Sequence, residues 1–120
     1  MGEELSDLQE RHHEFISDRN WEQFHTPKNL SMALSVEASE LVEIYQWHDN
    51  TDSDRICEDD KLVNRTRDEL ADILIHCLST ARELDIDLGQ ATADKLANNE
   101  TRFDTETAEE IREESEGWQR

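Results

Sequence analysis

Basic residues are scarce in this chain of 120 residues: twelve Lys and Arg stand against 31 Asp and Glu, for a net charge of −19. Phosphate backbones are gripped by clustered Lys and Arg, so this balance excludes a broad basic surface for nucleic acid. It leaves room for a small phosphorylated ligand held through metal ions. Cysteine is nearly absent too, and Cys57 and Cys77 have neither metal-type spacing nor a disulfide framework around them. Both read as free thiols of a reducing compartment. No apolar run approaches membrane-spanning length and no signal peptide precedes the first helix, so the expectation is a soluble, cytoplasmic protein. Strand-like alternation and internal repeats are missing as well. What remains is an all-α fold, a bundle of four to five helices.

Apolar residues make up 34 % of the chain. A chain of this length forms one domain, but its core is thin. Helical proteins of this kind often bury the rest of their apolar surface in a partner subunit. Three Lys (Lys28, Lys61, Lys95) stand beside nine Arg. Many acids, few lysines and modest apolar content fit a salt-rich cytoplasm, where the self-repulsion of a high charge is screened. An ordinary acidic protein with a charged tail fits the same composition.

Residues 27–48 organise the rest. Thr26 is placed to cap this helix and Pro27 suits its first position. Leu30, Ala33, Leu34, Leu41 and Ile44 recur at helical spacing and mark an apolar stripe. Glu37 falls in the middle of that stripe and Glu40 on its border. A carboxylate on a core-facing stripe is costly unless it is paired, protonated or bound to a metal.

A first helix is expected over residues 3–19, with Leu5, Leu8, Phe15 and Ile16 on one face and His12 among them. His12 is either a core histidine or a ligand contact. The connection 20–26 holds Trp21, Phe24 and His25, which either anchor the loop or offer a stacking wall to a flat ligand. After a polar loop at 49–54, a third helix is expected over 59–84. Its stripe is Val63, Leu70, Leu74, Cys77, Leu78 and Ala81, with Glu69, Asp72 and His76 on the opposite face. Ile73 and Ile75 leave little of it polar, which points to burial nearly all round. Asp87 is a good cap for a fourth helix over 88–102, where Lys95, Asn99 and Arg102 share a face. Residues 1–103 form the domain. Residues 104–120 read as an acidic tail in which Thr107 and Glu110 permit a short helix, with fraying or disorder expected.

Glu37/Glu40 and Glu69/Asp72 are each spaced i, i+3, so each pair projects from one helix face. Antiparallel packing of the two helices brings four carboxylates together. They repel and raise one another's pKa unless a divalent cation joins them. Oxygen ligands alone call for a hard ion, Mg²⁺ first and Mn²⁺ second. Taken alone, Glu69 and Asp72 also fit a solvated face. A di-iron carboxylate site needs Glu-x-x-His on two helices; Glu10-x-x-His13 is one candidate, but Glu22-x-x-His25 falls outside helix. Such a Mg²⁺ site takes phosphate oxygens as remaining ligands. Lys95, Asn99 and Arg102 suit phosphates, and Trp21 and Trp47 suit a base.

These residues resemble the all-α nucleoside triphosphate pyrophosphohydrolases of the MazG-like superfamily, in the single-domain branch that includes the dCTP pyrophosphatases. The signature Glu-x-x-Glu then Glu-x-x-Asp stands here as Glu37-Ala38-Ser39-Glu40 and Glu69-Leu70-Ala71-Asp72. The likeness runs through RNWEQFHTPKNLSMAL, ELVEIYQWH, DELADILI and KLANNETRF, and so covers residues 5–103. It implies a MazG-like bundle assembling as a homodimer or dimer of dimers, acting on a (d)NTP to give the monophosphate and pyrophosphate. It implies Mg²⁺ on Glu37, Glu40, Glu69 and Asp72, with Glu37 or Glu40 as the base for water. It assigns phosphate contacts to Lys95, Asn99 and Arg102, and the base pocket to His12, Trp21, His25 and Trp47. His76 joins that pocket, standing where the dCTP enzymes carry tyrosine, so base preference does not carry over. The reading from a different class is a non-catalytic helical oligomer that binds nucleotides or protein partners.

Overall fold

The computed structural model describes residues 4–49 and 58–118. Cys57 and most of the expected loop at 49–54 lie outside them; Cys77 is a half-buried free thiol. Five helices follow one another, and no strand occurs among the described residues: α1 (Leu5–Asp18), α2 (Pro27–Tyr45), α3 (Asp60–Glu83), α4 (Leu88–Arg102) and α5 (Thr105–Trp118), with a 3₁₀ turn at Glu22–Phe24.

Helix boundaries follow local chemistry. The Thr26 hydroxyl accepts from the Asn29 N–H, and Pro27 occupies the first turn of α2. Asp59 accepts from the Lys61 and Leu62 amides, and Asp87 from that of Gln90. These side chains satisfy amides that a helix start leaves without partners. Helices α1 and α3 end alike. Asn20 (φ 58°) and Asp85 (φ 53°) take the left-handed conformation. Trp21 N–H then reaches Ile16 O at 3.1 Å, and Ile86 N–H reaches Ala81 O at 2.8 Å, closing a Schellman turn in each case.

The chain divides into two compact units, Met1–Ile86 and Asp87–Arg120. In the first, α3 packs chiefly on α2 and secondarily on α1. Tyr45 and Thr66 share a hydroxyl hydrogen bond of 2.7 Å, while Glu37 and Glu40 meet Glu69. Partners thus run in opposite chain order, and α2 and α3 are antiparallel. Gln9 Nε2 donates to Leu78 O at 2.8 Å and Arg82 pairs with Glu10 at 2.7 Å, which fixes α1 on α3. Ile16, Leu30, Ile44, Leu78 and Ala81 form the buried core.

Two expectations are corrected here. The third helix is not buried nearly all round. Its acid-bearing face turns inward to α2, while Leu70 and Leu74 on the expected core stripe stay 52 % and 39 % exposed. Periodicity locates an apolar stripe but not what covers it. In the second unit the acidic segment is helical rather than frayed, because Asp104, not Thr107, caps it by accepting from the Thr107 N–H at 2.8 Å.

Candidate active site

The i, i+3 spacing on α2 sets Glu37 and Glu40 side by side, and α3 adds Glu69 from across the helix pair. One oxygen from each lies within 4.8 Å of the others, and all three residues are half-buried. The Oε2 atoms of Glu37 and Glu69 are fully buried and have no hydrogen-bond partner. Carboxylates only accept when ionised, so such a group must take up a proton or a cation. Burial, and then contact with Glu37 and Glu40, pushes the Glu69 carboxyl up to about 7. Burial and then Glu40 also raise Glu37 above the usual carboxylate range. Asp72, the fourth expected ligand, stands outside the trio but close enough for its charge to add to the rise at Glu37.

These residues fit a divalent ion on two counts. Buried carboxylate oxygens lack any donor, and the donor set is all oxygen, which suits Mg²⁺ or Mn²⁺.

One turn along α3, His76 Nδ1–H donates to the main-chain oxygen of Asp72 at 2.7 Å. A carbonyl only accepts, so Nδ1 carries the proton. His76 also lies near His12, whose imidazole is held below its ordinary pKa by burial first and then by His25, His76 and His13. The His12 and His25 rings are 6.1 Å apart, and His12 stacks on Phe15 at 5.9 Å. Trp21 meets Phe15 edge-on. The structure thus gathers His12, His25, His76 and Trp21, all expected at a base pocket. Trp47 shares no ring contact with them and is 87 % exposed.

Phe15 and Arg19 escaped sequence reasoning. Phe15 reads as one more apolar residue of its helix face, and the only signal is its spacing, three after His12 and four before Arg19. In the second unit, Lys95, Asn99 and Arg102 project from one face of α4. Asn99 Oδ1 is buried without a hydrogen-bond partner, and Arg102 lies over the Phe103 ring at 4.3 Å.

Residues 32–117 match the sequence model of the MazG-like family. Over 99 residues the chain is 37 % identical to mouse dCTP pyrophosphatase 1, covering 82 % of this chain and 58 % of the mouse protein. Human dCTP pyrophosphatase 1 is 34 % identical over 99 residues, with the same shares of 82 % and 58 %. The chain thus spans 58 % of the length of these relatives. Among solved structures, a pyrophosphatase from Archaeoglobus fulgidus superposes with a TM-score of 0.77 at 30 % identity, covering 88 % of this chain and 96 % of the other.

Proposed function

The chain belongs to the MazG-like family, and from that premise we propose that it is a Mg²⁺-dependent nucleoside triphosphate pyrophosphohydrolase, converting a (d)NTP to the (d)NMP and pyrophosphate. The observation that carries this reading is the convergence of Glu37, Glu40 and Glu69 with two buried, partnerless oxygens. A helical scaffold gains nothing from crowding three carboxylates, and their mutual repulsion costs it stability. The names of the mouse and human relatives and of the Archaeoglobus enzyme support the same reaction class.

In this reading Glu37, Glu40, Glu69 and Asp72 would hold Mg²⁺, with Mn²⁺ as a substitute. The bound ion supplies charge neutralisation for the triphosphate and a water of lowered pKa. One carboxylate of the pair Glu37 and Glu40 accepts the proton of the attacking water. The water oxygen bonds to the α-phosphorus, the bond to the bridging oxygen breaks, and pyrophosphate leaves. Lys95 and Arg102 bring positive charge, and Asn99 an amide, suited to phosphate oxygens. His12, Trp21, His25, Trp47 and His76 receive the base.

The assembly is a homodimer or a homotetramer of two dimers. The apolar surface that Val42, Leu70 and Leu74 leave open on α2 and α3 supports this. No described helix is long and apolar enough to cross a membrane, and the proposed role is housekeeping of the nucleotide pool in the cytoplasm.

The deciding experiment is pyrophosphate release from a panel of dNTPs, NTPs and modified dNTPs, with Mg²⁺, Mn²⁺ or chelator, at low and molar salt. Metal-dependent release with the monophosphate as co-product is the expected result. No release by a folded oligomer under any of these conditions moves the assignment to a non-catalytic nucleotide or partner binder.

A further inference from the structure

Four side chains at and just beyond the end of α1 cluster with Phe15 at their centre. The His12 ring lies at 15° to it with centroids 5.9 Å apart. The Arg19 guanidinium carbon sits 3.7 Å from the Phe15 centroid, and Arg19 Nη1 donates to Phe15 O at 3.0 Å. Trp21 meets the same ring edge-on, at 5.9 Å and 74°. Helical spacing places His12, Phe15 and Arg19 on one face. Trp21 lies beyond the helix, and the turn brings it back. With Asn20 left-handed, its N–H reaches Ser17 O and that of Trp21 reaches Ile16 O, both at 3.1 Å. A Schellman turn returns the residue after it to the last helical turn.

Burial does not account for the stack, since Phe15 and Trp21 remain 42 % and 46 % exposed. Beside Phe15 and His12 opens a cleft of about 380 Å³ with an apolar floor of Ala71, Leu74, Ile75 and Leu78. Trp21 lies outside the cleft lining but against Phe15, and a half-exposed ring next to an apolar cleft suits a flat heterocycle, because every base has a π-face.

We infer that Phe15 is a positioning residue for nucleotide binding: contacted by His12 and Arg19, its ring holds Trp21 in the orientation in which Trp21 stacks on a base. This rests on the nucleotide reading above and adds to it a residue with no part in metal or phosphate binding. Phe15 acts only through Trp21. Removing its ring loosens Trp21 in the free protein, and reordering it costs the substrate complex and the transition state alike, so the loss falls on KM and not on the chemical step.

The test compares Phe15→Leu, which keeps an apolar side chain without the ring, with Phe15→Tyr, which keeps the ring. KM is measured for dATP, dCTP, dGTP and dTTP, and affinity for their α,β-imido analogues by calorimetry with Mg²⁺. Phe15→Leu raises KM and the analogue dissociation constant about fivefold, with kcat within about twofold. Phe15→Tyr restores both. In a Trp21→Ala background the Phe15→Leu effect shrinks below about twofold, since the residue it positions is gone. A KM unchanged by Phe15→Leu overturns the inference, and so does a fivefold effect that persists without Trp21. Should Phe15→Leu fail to fold, Asn20→Val strains the left-handed turn and must give the same KM signature. An unmodified protein that hydrolyses or binds the nucleotides while these variants match it defeats this inference alone. One that neither binds nor hydrolyses them defeats the functional reading and this inference together.

Discussion

Glu69 reaches from α3 to within 4.8 Å of Glu37 on α2, and the Oε2 atom of each is buried without a partner. This contact joins the two helices across their packed faces and sets two acids where two apolar side chains would stabilise more. The fold therefore carries a local cost that only a proton or a cation relieves.

That cost has a sign that pH reveals. Glu69 rises from an ordinary value of 4.5 to about 7 in the folded chain. A folded-state pKa above the unfolded one means the folded state binds the proton more tightly. Its stabilising effect is whole below about 4.5 and is lost as pH rises through about 7. In EDTA, the melting temperature of the unmodified protein should fall relative to Glu69→Gln between these values, leaving Glu69→Gln the more stable at pH 8. His12, whose depressed pKa works the other way, is common to both proteins and cancels in the difference. Mg²⁺ at pH 8 should raise the melting temperature of the unmodified protein, by about 2.7 kcal/mol of stability at a hundredfold excess over Kd. Parallel melting curves for the two proteins in EDTA, at every pH, would remove Glu69 from the cluster.

The acid on the apolar stripe of α2 was legible because it is anomalous in one dimension: Glu37 falls where Leu30 and Ile44 demand a core face. The caps at Thr26 and Asp87 were legible for the same local reason. What one dimension withholds is which surface covers a stripe. Leu70 and Leu74 share the periodicity of Leu78 and Ala81, yet only the latter two are buried. The face of Glu69 and Asp72, polar in projection, is the one that packs inward, against the acids of the partner helix and at a cost that no apolar periodicity signals. Phe15 illustrates a further gap, since an apolar residue in a helix face looks the same whether it fills a core or supports a ring.

Glu40→Gln tests the chemistry with the least disturbance of shape. The amide keeps the volume and removes the charge and the basic oxygen. Turnover should drop by about a hundredfold or more, while circular dichroism and oligomeric state stay as they are. Activity within a few-fold of the unmodified protein would take Glu40 out of the site.

Trp47 offers an unusually clean case. At 87 % exposure it packs on little among the described residues, so Trp47→Ala should shift stability by less than about 0.5 kcal/mol. Any effect on catalysis then reports on substrate. If Trp47 receives the base, KM rises with kcat nearly constant, by up to about tenfold for one stacked ring. An unchanged KM leaves the base to the rings gathered around Phe15.

The open apolar surface of α2 and α3 makes the assembly testable in the same way. Val42 and Leu70 are 59 % and 52 % exposed in the single chain. Val42→Thr with Leu70→Gln should therefore leave the isolated fold nearly untouched, since surface changes stay within about 0.5 kcal/mol. In an interface each buried aliphatic side chain contributes about 1.5–3 kcal/mol, so the pair should weaken self-association by at least about tenfold. Light scattering across a dilution series reads the dissociation constant directly. The melting temperature adds a second reading, because an assembly makes it depend on protein concentration and a monomer does not. The unmodified protein should show that dependence and the double variant should lose it. A monomeric unmodified protein at high concentration would leave this surface to a different partner.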